Sequence, residues 1–154
     1  MSMMMILAGL LAAAQTAPDA GPIEILGTHF YARDARLGDA GIREADTVPL
    51  RAGTSCFGWV LQVTPRPDSV AIREELQLPG PATDWSGDDP SRTVTVSGDR
   101  STGTTRFETS LAEGILTQDW CIAEGDPAGP YRIRVYHGDR LLHEFRFTVV
   151  PEAD

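Results

Sequence analysis

Period-two alternation in the last third of the chain constrains the fold more than any other feature. Tyr131, Ile133 and Val135 alternate with Arg132, Arg134 and Tyr136. After the turn His137-Gly138-Asp139, Phe145, Phe147 and Val149 alternate with Glu144, Arg146 and Thr148. Successive side chains of a strand point to opposite sides, so this is the pattern of a half-buried antiparallel hairpin. No stretch carries apolar residues at the spacing of an amphipathic helix.

Upstream segments read the same way. Residues 22–32, with Ile23, Ile25, His29 and Tyr31, predict a first strand. Residues 34–46 are polar and predict a connecting loop or an irregular edge. Val48 and Leu50 flank Pro49, which suits an edge strand or a strand entrance. Residues 54–64 are aromatic and β-branched and end at Pro65-Arg66-Pro67. In residues 69–78 the even positions Val70, Ile72, Leu76 and Leu78 form a core face, and these two runs are expected to pair as a hairpin. Further strands are expected at 92–97, 104–111 and 115–123, separated by Gly-, Pro- and Asp-rich turns. Seven to eight short strands with regular turn signals predict an all-β fold, an immunoglobulin-like antiparallel β-sandwich.

The N-terminus predicts export. Met3 to Ala14 form an uncharged apolar run with a small-residue end, which predicts a signal peptide over residues 1–17 in preference to an apolar first strand or helix, with cleavage expected near 14–17 and a single domain over 18–154. The run is short for a membrane span, which needs about 20 residues. No stable membrane anchor is expected after cleavage, and the protein is expected to be periplasmic or secreted. An oxidising compartment favours a disulfide between Cys56 and Cys121 over two buried thiols. Phe57, Trp59 and Leu61 share one face of their strand, and Trp120 and Ile122 share one face of theirs; each cysteine points the other way. A bridge would therefore join neighbouring strands of one sheet and not pass through the core.

The ending Gly129-x-Tyr131-x-Ile133-x-Val135, Gly138, Phe145-x-Phe147-x-Val149, with Trp120, the turn residues Asp126 and Pro127, and Phe57-Gly58, resembles a family of bacterial exported immunoglobulin-like domains over residues 54–150. The motifs that carry the likeness are core aromatics and turn glycines. The resemblance implies the fold and the compartment, and no activity.

Chemistry is sparse. The net charge of −9 argues against nucleic-acid and anionic-membrane partners. All thirteen basic residues are arginine. His29, His137 and His143 lack metal-ligand spacing, and no phosphate loop or nucleophile elbow is present, so neither a cofactor nor a metal is expected. Three weaker constellations stand out. Asp84, Asp88 and Asp89 share a glycine-containing loop, which suits either a calcium site or a solvated acidic loop. Arg132, Arg134 and Arg146, with Tyr136 and Glu144, form an outer face suited to an acidic partner or to cross-strand ion pairing. Glu74 falls on the apolar face of its strand, where burial would raise its pKa and mark a site, unless a bulge or a strand end returns it to water. Trp85 is a binding anchor if exposed and a loop plug if packed. The expected function is a non-catalytic interaction or accessory module, with an envelope protein as partner and Arg132, Arg134, Arg146 and Trp85 as candidate surface. A small-ligand or carbohydrate binder is the alternative, followed by a hydrolase that uses dispersed acids.

Overall fold

A computed structural model describes residues 21–85 and 92–153 of the chain. The expected signal segment lies outside these residues, as do Asp88 and Asp89.

The described residues form ten strands, more than the seven to eight expected: β1 (Ile25–Asp34), β2 (Ile42–Glu44), β3 (Thr47–Pro49), β4 (Ser55–Val63), β5 (Ser69–Gln77), β6 (Thr93–Val96), β7 (Thr102–Ser110), β8 (Ile115–Cys121), β9 (Gly129–His137) and β10 (Arg140–Val150). A four-stranded sheet has the order β2-β1-β4-β8 and a six-stranded sheet the order β3-β10-β9-β5-β7-β6. The extra strands are short edges drawn from segments read as loop or strand entrance. After a 3-10 helix (Ala35–Gly41), Ile42–Glu44 turns back on β1. Thr47–Pro49 then crosses to pair in parallel with β10.

The expected hairpin of residues 54–64 and 69–78 does not form. β4 pairs with β1 and β8, whereas β5 pairs with β7 and β9 in the other sheet. Both runs bury one face, and two such faces that oppose each other make a sandwich as readily as a shared side makes a hairpin. Pro65 and Pro67 remove two backbone donors from the connection, which suits an arch between sheets and not a tight hairpin turn. Arg66 ties the arch down, donating to Asp68 and to the Gly21 carbonyl.

Alternation places the core. Phe57, Trp59, Leu61 and Val63 of β4 face Ile133, Val135, Phe145 and Phe147 of β9 and β10, and all are buried. Phe147 packs against Phe30 at 4.5 Å and against Phe57 at 4.7 Å between ring centroids, which joins the sheets through aromatic contact. In β1 the register shifts between Ile25 and Gly27. The extra residue, Leu26, lies in solvent, and inward parity changes from the odd positions Ile23 and Ile25 to Phe30 and Ala32.

Candidate functional site

The final hairpin folds as its alternation predicts, with Glu144 opposite Arg134 and Arg146 opposite Arg132. Glu144 accepts from Arg134 Nε at 2.7 Å and from Arg146 Nε at 2.6 Å. Both arginines hold the Glu144 carboxyl below the usual carboxylate range. Arg132 donates to the neutral Gln77. The same outer face continues across β5 and β7. Arg73 stands opposite Arg106, lies 4.0 Å from the Tyr136 ring centroid and pairs with Glu75. Arg106 has no ion pair among the described residues. The outer face of the six-stranded sheet thus carries five arginines (73, 106, 132, 134, 146) against three glutamates (75, 108, 144). Two of its cross-strand pairs, Arg132–Arg146 and Arg73–Arg106, are like-charged and disfavour the sheet.

A second polar constellation lies inside. Glu74 is fully buried on the inner face of β5, as its parity predicts. Its Oε2 accepts from Trp59 Nε1 at 2.5 Å and its Oε1 from Trp120 Nε1 at 2.7 Å. Both indoles belong to the four-stranded sheet, so the carboxyl joins the two layers. Burial pushes its pKa up to about 7, against the opposing effect of the two indole donors and of Arg92. Beside it, Thr105 is its register partner on β7 and Gln118 is the register partner of Trp59. Thr105 Oγ1 and Gln118 Oε1 are buried without a hydrogen-bond partner.

Trp85 is the packed plug and not an exposed anchor. It is 8% exposed, its Nε1 donates to the Arg100 carbonyl at 3.0 Å, and its ring meets that of Trp120 edge to face. Its loop is clamped by Arg100, which donates to the carbonyls of Ala82 and Thr83. Trp85 covers the inward-facing Gly103 of β7, whereas Arg132, Arg134 and Arg146 project outward, so the structure does not bring Trp85 to the arginine face.

Cys56 and Cys121 are directly opposite on β4 and β8 and form a disulfide. The bridge lies within one sheet, on the side away from Phe57 and Trp120. Among the described residues no three His, Cys, Asp or Glu side chains converge as a metal site. Asp84 is the only member of the proposed calcium trio that lies within them.

A family model described as PM0630 beta sandwich domain matches residues 29–150. The chain belongs to this family. A solved structure of an immunoglobulin-like protein (PA1606) from Pseudomonas aeruginosa superposes with a TM-score of 0.58 at 20% identity, over 84% of this chain and 98% of that one. At that identity the likeness establishes the fold. No curated protein is detectably similar in sequence. The PM0630-type sandwich of this chain carries functional candidates that the linear reading missed. Arg73 and Arg106 join the arginine face only through the pairings of β5 with β7 and β9, which no local pattern announces. Thr105 meets Glu74 through the β5–β7 pairing, and Trp120 meets it only because the sheets stack. An inward parity for Gln118 and Thr105 is the one signal the sequence held for them.

Proposed function

We propose that this domain is an exported, non-catalytic interaction module of the bacterial cell envelope, and that the outer face of its six-stranded sheet receives an acidic partner. The carrying observation is the excess of arginine on that face in a chain of net charge −9, with two like-charged pairs set side by side. A sheet selected for stability alone favours opposite charges at such positions. Arginine offers planar, bidentate recognition of carboxylates, and among the described residues neither Arg106 nor Arg132 pairs with a carboxylate. The Cys56–Cys121 bridge and the apolar N-terminal run support a location outside the cytoplasm.

The test is crosslinking capture of a protein from native envelope extract by oxidised mature domain, followed by binding of the purified partner. The expected partner binds less tightly as salt rises and is lost in the double variant Arg106→Glu, Arg132→Glu. A partner that binds this variant as well as wild type would move the interface elsewhere. Absence of any partner would remove the interaction reading.

A further inference from the structure

We propose that Glu74 is a proton-operated latch between the two sheets: uncharged, it holds the β8 side of the sandwich closed, and ionised, it favours the opening of that side. The inference stands apart from the arginine face and uses inward-facing groups of both sheets.

Geometry selects the β8 side. β8 is an edge strand paired only with β4. Its inward residues are Leu116, Gln118 and Trp120, and Trp120 is gripped by Glu74 Oε1. Trp120 in turn supports Trp85, the plug over the inner face of β7. Release of Glu74 therefore loosens a continuous series: Glu74, Trp120, Trp85 and the loop that Arg100 clamps.

Three buried polar groups at this place gain from water. The Glu74 carboxylate is desolvated, and Thr105 Oγ1 and Gln118 Oε1 lack partners. An unsatisfied buried group destabilises the closed state, so hydration on opening returns part of what closure loses. The groups that face Glu74 are identified element by element. β4 presents the Trp59 indole, β8 presents Trp120 and Gln118, β7 presents Thr105, and β9 presents the apolar Val135. Arg92 beside β6 favours the ionised form, and Asp119 of β8 opposes it. Desolvation outweighs the sum, so the closed state holds the proton more tightly than an open, hydrated one.

The direction follows by linkage. Closed Glu74 releases its proton near pH 7, and open Glu74 releases it near the ordinary carboxyl value of 4.5. Opening therefore becomes more favourable as pH rises between these values and levels off above them, a gain on the order of a hundredfold.

The experiment is hydrogen exchange read by mass spectrometry on the intact, oxidised protein from pH 4.5 to 8.5, corrected for intrinsic exchange. Peptides from β8 and from residues 79–85 are expected to lose protection on the order of a hundredfold up to about pH 7 and then level off, while exchanging faster than the β9–β10 hairpin at every pH. Glu74→Gln is expected to flatten the profile. Protection of β8 that is independent of pH in wild type overturns the proposal. So does β8 exchange no faster than that of the hairpin, which would mean that only global unfolding exposes it. Should Glu74→Gln not fold, Trp120→Phe serves: it removes a donor to the ionised carboxylate and is expected to move the transition to higher pH, and an unmoved transition overturns the latch.

Discussion

Trp59 and Glu74 belong to different sheets and are joined by a hydrogen bond of 2.5 Å in the centre of the sandwich. Its loss leaves a buried carboxyl oxygen unsatisfied. Trp59→Phe is expected to lower unfolding stability by about 2–4 kcal/mol from the lost bond and reduced packing. The loss should be larger at pH 8 than at pH 5, because the indole N–H favours the ionised form. Urea unfolding at both pH values checks this.

Wild-type stability should itself fall between about pH 4.5 and 7. Glu74 is fully buried and its folded pKa lies above its unfolded one. Its stabilising contribution is complete below the unfolded value and is lost as pH rises through the folded one. Two and a half pH units correspond to about 3 kcal/mol at most. Asp34 and Asp99, each held at about 2 by local hydrogen bonds, act with the opposite sign and in a lower window, where acidification costs stability. A maximum in the mildly acidic range is expected, and Glu74→Gln should abolish the decline toward neutral pH. Urea midpoints across pH 3–9 test both slopes.

Gly103 lies beneath the Trp85 ring, and a Cβ on it would stand 2.6 Å from Trp85 Cε3. The contact is with a rigid indole held by Trp120 and Arg100, so it has little room to yield. Gly103→Ala is expected to displace the plug, cost about 1–3 kcal/mol and shift tryptophan emission toward the red. Unchanged emission and stability would mean that the ring moves freely.

Arg106→Glu places an acid opposite Arg73 in place of a like charge. It is expected to raise stability by about 0.2–1 kcal/mol while weakening the proposed partner. Thermal unfolding and binding measured on the same preparation should move in opposite directions.

Replacing both cysteines by serine is expected to cost about 2–5 kcal/mol, since the bridge spans 65 residues. The edge strand β8 should lose hydrogen-exchange protection before β9 and β10 do.

Alternation made the inward and outward sides of β5, β9 and β10 legible, which is why Glu74 and the outward arginines of the last hairpin were found from residues alone. It says which side of a strand is buried, but not which sheet the strand joins. Residues 54–64 and 69–78 were for that reason open to misreading as partners, although Pro65 and Pro67 between them were visible. Trp85 was legible only as an alternative, because a tryptophan in a polar loop has the same sequence whether it projects or packs. The donors to Glu74 come from Trp59 and Trp120, and nothing local to either tryptophan names a carboxylate in the opposite layer.

The parallel pairing of Thr47–Pro49 with Thr148–Val150 has a consequence for biogenesis. Among the described residues β3, made early, pairs only with β10, whereas β9 pairs with both β5 and β10. The β3 edge of the six-stranded sheet therefore cannot close until residues 140–150 have been made, a non-local pairing that delays completion of the fold.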